Sequence, residues 1–139
     1  MNVVIELVDD HPLPERGTRG SACFDCRSRV RKHIPPRRRV LVPLGFKVKV
    51  PPGNALLVLP RSGLSRIGVE VIVGTVDSDY RGEVCALVWN DSQEPFEVLE
   101  GDRIAQCGVV PFLEVELVKG VVNVDTERGE GGFGSTGRT

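Results

Sequence analysis

The sequence has few aromatic residues and no long hydrophobic run. Among its 139 residues are one tryptophan, one tyrosine, five phenylalanines and two histidines. The net charge is −1, so no overall field of one sign directs the chain to nucleic acid or to an anionic membrane. No apolar stretch approaches the roughly 18 residues of a membrane-spanning helix, and no signal-peptide pattern opens the chain. We therefore expect neither a membrane nor a nucleic-acid partner, and a cytoplasmic location, or the host-cell interior if the source is viral.

Stretches with helical periodicity are also absent. Ten prolines and sixteen glycines interrupt short valine-rich runs, and residues 45–50 alternate with the period of a strand. The length suits one domain. The predicted fold is all-β, a single-domain jelly roll or distorted β-barrel. Glycine dominates after about Thr126, so we predict a barrel domain over residues 1–126 and a flexible glycine-rich C-terminal arm over residues 127–139.

The four cysteines lack the spacing of a metal or disulfide framework. Cys23 and Cys26 form one C-x-x-C pair, but Cys85 and Cys107 form no second pair. A zinc or redox site is the alternative interpretation, although the two histidines lie in Pro- and Arg-rich surroundings. Buried free thiols in a reducing compartment are the prediction.

Residues 74–82, Gly-Thr-Val-Asp-Ser-Asp-Tyr-Arg-Gly, are the most informative stretch. They contain the single tyrosine, Tyr80, and separate two apolar runs, Val69–Val76 and Val84–Trp89. Because Asp, Ser and Gly favour turns, the pattern predicts a β-hairpin with Asp77 and Tyr80 at its tip. The alternative is a solvated turn with one packed tyrosine.

Residues 60–65 have the composition of an anion-binding turn. They follow the apolar run Ala55–Leu59 and predict a strand that leads into a short helical turn. Backbone N–H groups at such a turn attract anions, and Arg61 and Ser62 add donors. An ordinary capped turn is the alternative.

The last residues of the chain are too rich in glycine to form a core. Five glycines lie within residues 128–137, together with Arg128, Phe133, Ser135 and Thr136. The segment is either a disordered terminus or an arm that orders over a ligand, with its ring on a base and its arginine and hydroxyls on phosphates. It is not a P-loop, because no Gly-Lys-Ser/Thr follows a glycine loop.

A basic stretch raises the possibility of nucleic-acid binding. Residues 27–31 alternate like an exposed strand face, and further arginines follow at residues 37–39. The aromatic residues of a nucleic-acid platform are missing beside them, so a solvated face or a subunit contact is favoured. A nucleic-acid-binding β-barrel stays an alternative, which salt-dependent oligonucleotide binding would reveal.

Several segments together resemble the motifs of the homotrimeric deoxyuridine triphosphate nucleotidohydrolases (dUTPases). They are residues 60–64 (PRSGL), 74–82, 101–106 (GDRIAQ) and 128–137, preceded by a weaker motif at residues 20–26. Each is weak alone, but their order and spacing make the resemblance specific, and it covers nearly the whole chain. It implies hydrolysis of dUTP to dUMP and pyrophosphate, which limits uracil in DNA and supplies dUMP for thymidylate synthesis. It also implies Mg2+ as cofactor and a homotrimer with active sites shared between subunits.

The resemblance implies a role for each residue that contacts base or sugar. Asp77 matches the general base that deprotonates a water for in-line attack on the α-phosphorus. The ring of Tyr80 matches one that packs on deoxyribose and excludes UTP. The remaining base contacts are the backbone of Val71, Gly74, Thr75 and Val76, with Cys85 opposite, and the ring of Phe133 stacked on uracil when the arm closes.

The phosphate contacts are likewise implied by the resemblance. They are Arg61, Ser62, Gly63, Gln106, Arg128, Ser135 and Thr136. Asp25 would orient the hydrated magnesium ion through water, in keeping with the preference of this ion for retaining waters. Asp79 is expected to stabilise the turn. Cys23 and Cys26 depart from the glycine and leucine that are frequent in the family, and Val71 replaces an asparagine that some members carry.

Two further alternatives share this scaffold. A dCTP deaminase needs a glutamate on the strand after the hairpin, where this chain has Leu87. A regulator that binds a protein partner would not need the intact Asp77, Tyr80 and Phe133, although partner binding is compatible with catalysis.

Overall fold

Short strands separated by glycine and proline turns make up nearly all of the regular structure in the computed structural model, which describes residues 1–139. One helical turn, α1 (Ser62–Ser65), interrupts them. The strands are β1 (Val4–Leu7), β2 (Phe24–Arg27), β3 (Lys32–Ile34), β4 (Arg39–Pro43), β5 (Phe46–Lys49), β6 (Asn54–Leu59), β7 (Val69–Ile72), β8 (Gly74–Val76), β9 (Cys85–Asn90), β10 (Phe96–Val98) and β11 (Arg103–Pro111). The all-β prediction is confirmed. No helix in the structure has the length and apolar character needed to cross a membrane.

Two larger sheets share one core. The first has the strand order β2-β11-β6-β8 and the second the order β4-β9-β7, and every ladder in them is antiparallel. The two-stranded pairs β1-β5 and β10-β3 complete the fold. A cluster of 18 buried side chains joins the sheets, with Phe46, Val58, Val88 and Ile104 among its most deeply buried members.

The alternation predicted for residues 45–50 is present in β5. Phe46 and Val48 are buried while Lys49 is exposed, as the two faces of a pleated strand require. The strand begins after Gly45, which has a φ of +75° and would place a Cβ 2.2 Å from the His11 ring. His11 is buried and its Nε2 bonds the carbonyl of Arg27 at 3.0 Å, so this histidine packs in the fold.

The predicted hairpin is confirmed for only half of its first strand. Strand β7 pairs with β9, but β8 leaves this partner and pairs with β6 in the other sheet. Val73, at the change of partner, is exposed. Both halves are apolar and extended, so their sequence pattern carries no sign of the change.

The strand face predicted over residues 27–31 is wrong. Strand β2 ends at Arg27, and Ser28 is buried with its Oγ donating to the carbonyl of Val30 at 2.5 Å. This tight local bond bends the backbone, and the next side chain, Arg29, turns toward a glutamate instead of solvent.

Regular structure ends at Pro111, well before residue 126. From residue 112 onward the chain forms neither strand nor helix, and apolar side chains such as Leu113, Leu117 and Val121 are almost fully exposed. A bond from the Phe112 N–H to the carbonyl of Gly53, at 2.8 Å, is its single hydrogen bond to the barrel. A long segment with uncovered apolar residues thus leaves the domain.

Candidate active site

Register in the four-stranded sheet brings three separated motifs into one row. Asp25 in β2 pairs with Gln106 in β11, and Gln106 pairs with Leu59 at the end of β6. Because neighbouring strands lie about 4.8 Å apart, side chains on this row reach one another. After Leu59 the chain enters α1, so Arg61 and Ser62 lie next to the row formed by Asp25 and Gln106.

An arginine–carboxylate cluster occupies this place, which we call the arginine end. Arg61 Nε donates to Asp25 Oδ1 at 3.1 Å, and Arg103 Nη1 lies 3.8 Å from Asp25 Oδ2. Arg61 Nη1 also donates to the carbonyl of Arg103 at 2.9 Å, while Gln106 Nε2 donates to that of Pro60 at 2.8 Å. The predicted residues Asp25, Arg61 and Gln106 are therefore brought together. Arg103 joins them without having been predicted, although it lies in the motif 101–106.

Open donors face solvent beside this cluster. Ser62 and Gly63 are exposed and begin α1, whose first N–H groups have no partner within the turn. The predicted strand-to-helical-turn transition is thus confirmed. A cavity of about 340 Å³ adjoins it, with Arg27, Arg61 and Arg103 among its lining residues. The arrangement offers positive charge and free donors to an anion.

The tip of the hairpin, which we call the hairpin end, presents a free carboxylate. Asp77 is exposed and its side chain makes no hydrogen bond or ion pair. Its carbonyl accepts the N–H of Tyr80 at 3.2 Å, which closes the turn. Arg81 Nη1 donates to the carbonyls of Ser78 and Tyr80 at 2.7 and 2.9 Å. The turn is thus held by Arg81, and the stabilising role predicted for Asp79 is wrong, because its carboxylate bonds no turn residue.

The Tyr80 ring rests over a glycine and stays accessible. Its side chain is 45% exposed, and its hydroxyl donates to the carbonyl of Glu83 at 3.0 Å. A Cβ on Gly82 would stand 2.3 Å from the Tyr80 hydroxyl oxygen. Gly82 is therefore required for this ring position, and one ring face is left for a ligand.

Glu83 receives a second partner from a distant loop. Arg29 Nε and Nη2 donate to its two carboxylate oxygens at 2.5 and 3.0 Å. These hydrogen bonds raise the pKa of Arg29 above its ordinary value. No motif in the sequence pointed to this pair, since the two residues are far apart along the chain.

Strands β8 and β9 are not paired with each other, and we call the region between them the cleft. The β7–β9 ladder ends at the pair Ile72 and Leu87, and Gly74 pairs with Val58 instead of continuing toward Cys85. Strand β8, with Gly74, Thr75 and Val76, is the edge of its sheet, so one side of its backbone is unpaired.

Two predicted base contacts, Val71 and Cys85, differ in how far their side chains are buried. The Val71 side chain is only 5% exposed, which restricts its contribution to the backbone. Cys85 is half-buried on the other wall, and burial raises the pKa of its thiol.

All four cysteines are free, as predicted, but only two are buried. Cys26 and Cys107 lie on adjacent strands with their sulfurs 3.2 Å apart. Their mutual hydrogen bond raises the pKa of Cys26 and lowers that of Cys107. Cys23 is half-buried nearby, and burial raises its pKa too.

Residues of the C-terminal arm lie apart from both ends within one chain. Arg128 Nε donates to the carbonyl of Gly131 at 2.7 Å, and the Ser135 N–H to that of Gly132 at 3.0 Å. Phe133 is fully exposed with a φ of +51°. The arm residues therefore bond only within local turns.

The hairpin end and the arginine end lie at opposite ends of β6. Val76 pairs with Leu56, so Asp77 comes opposite Ala55, whereas Arg61 follows the other end of the strand. The path from Ala55 to Pro60 spans roughly 16 Å at the usual rise of a strand. The two groups of predicted residues therefore do not meet in one chain.

The chain is similar in sequence to known proteins. A family model described as dUTPase matches residues 9–137. A deoxyuridine 5′-triphosphate nucleotidohydrolase of Caulobacter vibrioides (strain NA1000 / CB15N) is 47% identical over 141 residues, covering 92% of this chain and 87% of that protein.

Solved structures show the same fold. The dUTPase of Staphylococcus bacteriophage 80alpha with dUPNHPP is similar with a TM-score of 0.89 and 25% identity, covering 99% of each chain. A dUTPase from phage phi11 of S. aureus, described with a structural Mg(II) ion, has a TM-score of 0.82 and 21% identity over 91% of this chain and 100% of that one. The jelly-roll prediction is confirmed, and the chain belongs to the dUTPase family.

Proposed function

We propose that this protein hydrolyses dUTP to dUMP and pyrophosphate by attack of water on the α-phosphorus. The observation that carries the proposal is the assembly of Asp25, Arg61 and Gln106 at one end of β6 and of Asp77 and Tyr80 at the other. Hydrolysis of a triphosphate needs donors along the phosphates and a base beside the reacting phosphorus. The arginine end supplies the donors, and the hairpin end supplies the base.

Asp77 acts as the general base. A carboxylate without internal partners is free to bind a water and to accept its proton. The turn that carries it is closed by the Tyr80 N–H and by Arg81, so the carboxylate is held on a defined backbone. Pre-positioning of this kind lowers the entropic cost of bringing the water to the phosphorus.

Base and sugar are recognised at the cleft beside the same turn. Gly74, Thr75 and Val76 offer unpaired backbone groups at the edge of β8, which suit the donors and acceptors on the uracil edge. The accessible face of Tyr80 packs on deoxyribose, where a ring in van der Waals contact leaves no room for a 2′-hydroxyl. Val71 contributes through its backbone, and Cys85 lines the opposite wall.

The arginine end binds the phosphates. Arg61 uses Nε and Nη1 for Asp25 and the Arg103 carbonyl, which fixes its plane and leaves Nη2 for a phosphate oxygen. Ser62 and Gly63 add a hydroxyl and free N–H groups. Gln106 is tied to Pro60 and supports the same loop.

A magnesium ion fits this end as a companion of the triphosphate. No group of three or more His, Cys, Asp or Glu side chains forms a cage in the structure, and the carboxylate present, Asp25, is already flanked by Arg61 and Arg103. Mg2+ in nucleotide sites is held mainly by phosphates and waters, so one carboxylate acting through water is sufficient. When bound, the ion neutralises phosphate charge.

The two ends meet between subunits of a homotrimer. Groups that act on one phosphate must converge within a few ångströms, whereas β6 holds them roughly 16 Å apart in a single chain. Symmetric association places the hairpin end of one copy against the arginine end of another.

Two exposed apolar surfaces favour this association. The segment 112–124 has uncovered residues such as Leu117 and Val121, and the outer face of the β4-β9-β7 sheet exposes Leu41 and Ile72.

The glycine-rich arm completes the site of another copy. Arg128, Ser135 and Thr136 reach the phosphates and Phe133 stacks on uracil, while the glycines permit close approach. The absence of hydrogen bonds between the arm and its own barrel supports this arrangement. Closure over the nucleotide excludes bulk water.

The proposal is tested with a panel of dUTP, UTP, dCTP and dTTP in the presence of magnesium. Pyrophosphate release and the product nucleotides are measured. Turnover of dUTP alone, with dUMP as product, is expected. Deaminated product from dCTP would instead identify a deaminase, and silence on all four nucleotides would refute nucleotide hydrolysis.

A further inference from the structure

We propose that Arg29 and Glu83 are positioning residues that hold the Tyr80 ring and so set the discrimination between deoxyribonucleotide and ribonucleotide. The inference rests on the proposed function, because it takes the Tyr80 ring to pack on the sugar. Neither residue touches the nucleotide, and both act through the hairpin end.

The pair has the geometry of a strong ion pair. Arg29 presents Nε and Nη2 side by side to the two oxygens of Glu83, at 2.5 and 3.0 Å. Such a planar fork fixes direction as well as distance, unlike a single contact from a lysine. The side chains are 27% and 21% exposed, so water screens the pair only in part. Asp9 approaches Arg29 Nη1 at 3.4 Å and is itself exposed.

Glu83 links this ion pair directly to Tyr80. Its carboxylate accepts Arg29 while its backbone carbonyl accepts the Tyr80 hydroxyl at 3.0 Å. Arg81 and Gly82 lie between the two residues, and the ring is packed over Gly82. The Glu83 carbonyl shares its peptide group with the Val84 N–H, which donates to Phe46, so the acceptor is fixed on the barrel while the ion pair fixes the side chain of Glu83.

Backbone hydrogen bonds anchor both residues of the ion pair to the barrel. The Arg29 N–H donates to the carbonyl of Pro43 at 2.9 Å, which ties it to β4. Val84 is held on both sides, since its N–H donates to Phe46 and its carbonyl accepts from Leu44, at 2.8 and 2.9 Å.

The tip residues that precede Glu83 are held mostly by hydrogen bonds within the turn. The bonds from the Tyr80 N–H to Asp77 and from Arg81 to Ser78 and Tyr80 stay within the turn. The Arg29–Glu83 pair is the long-range side-chain contact that lies nearest to Tyr80 along this side of the turn, and it holds the residue from which the chain runs back to Gly82 and the ring. Its loss is expected to leave the barrel intact and to loosen the tip.

The consequence concerns specificity more than the chemical step. With the ring displaced, a 2′-hydroxyl gains room, so UTP is accepted better, while dUTP loses a packing contact. Asp77 lies at the opposite end of the turn and keeps its carboxylate. We expect the ratio of kcat/KM for dUTP over UTP to fall about tenfold, mainly through KM.

The test compares Arg29→Gln, Glu83→Gln and the exchanged pair Arg29→Glu/Glu83→Arg. Arg37→Gln is the matched control, because it breaks an ion pair with Asp91 that is exposed and distant from the turn. Both single variants are expected to lower the dUTP/UTP ratio, the exchanged pair to recover part of it, and the control to keep it. An unchanged ratio in the single variants, or an equal fall in the control, overturns the proposal.

A second readout is independent of turnover. The chain has one tyrosine, so fluorotyrosine incorporation gives a single fluorine NMR signal from the Tyr80 ring. The signal is expected to shift or broaden in both single variants and to stay in place in Arg37→Gln. An unmoved signal refutes the positioning role even if the proposed function stands. A shifted signal in a protein that does not hydrolyse dUTP would instead refute the proposed function, and with it the link to sugar specificity.

Discussion

The arginine end and the hairpin end are built in opposite ways. At the arginine end Asp25, Arg61 and Arg103 satisfy one another through ion pairs and a carbonyl bond, on a row fixed by sheet register. At the hairpin end Asp77 has no partner, and the turn is supported by its own backbone and by Arg81. The arginine end is therefore a preorganised anion site, whereas the hairpin end presents a carboxylate that is free to bind water.

The difference explains why neither end is sufficient. Donors that stabilise phosphate charge act best when already organised, whereas a base must keep its lone pairs free for water. Combining both within one small sheet would pair Asp77 with an arginine, as has happened to Asp25. Separation along β6 leaves Asp77 unpaired within its own chain, and association of copies then brings it to the arginine end of a neighbour.

The largest effect is expected from Asp77→Asn, which tests the hairpin end as the source of the base. Turnover of dUTP should fall by about 10²- to 10⁴-fold because the amide accepts no proton. Nucleotide affinity, measured by calorimetry, should change little. Asp79→Asn is the control, since it also removes a carboxylate from the turn; an equal loss in both variants would contradict the specific role of Asp77.

Deletion of residues 128–139 should cause the next largest fall in turnover. The arm forms no hydrogen bond to its own barrel, so the truncated chain should fold with an unchanged oligomeric state and unfolding midpoint. Turnover should nevertheless fall severely, because Arg128 and Phe133 no longer close the site. Full activity after truncation would remove the arm from the mechanism and leave the two ends as the whole site.

A smaller effect is expected from Gly82→Ala, which disturbs the ring without touching the base. The added Cβ would overlap the Tyr80 hydroxyl, so the ring must move. The dUTP/UTP ratio of kcat/KM should fall about tenfold, as one badly placed contact allows. Gly120→Ala, where a Cβ meets no neighbouring atom, is the matched control. Retained selectivity in Gly82→Ala would show that the ring does not exclude the ribose.

The smallest effect is expected away from both ends, at the exposed pair His33 and Glu97. The hydrogen bond from His33 lowers the pKa of Glu97. A carboxyl with a lowered folded pKa stabilises the fold above its unfolded pKa, and this contribution disappears as the pH falls through the folded value. Glu97→Gln should therefore reduce the free energy of unfolding slightly near pH 6, and this difference should shrink as acidification carries the pH through the folded pKa of Glu97, as urea titrations over a series of acidic pH values would measure. Turnover should be unaffected, and a loss of turnover would mean that this surface takes part in catalysis.

Much of this organisation was accessible from the sequence. Turn residues and alternation predicted the β fold, the tip with Asp77 and Tyr80, and the helical turn at Ser62, because these signals are local. Partner choice is not local, so the switch of β8 from β9 to β6 was missed, and with it the cleft. The same limit concealed Arg103 and the Arg29–Glu83 pair, whose members lie far apart in sequence.

Sharing of one site between two chains is tested by mixing equal amounts of two inactive variants, Asp77→Asn and Arg61→Ala. Each variant damages one end, and no chain in the mixture carries both ends intact. After dissociation and reassociation, shared sites should restore about a quarter of wild-type turnover, since one in four pairings joins two intact ends in a symmetric ring. No recovery in trimers shown by mass spectrometry to contain both variants would mean that the two ends do not form one site between chains.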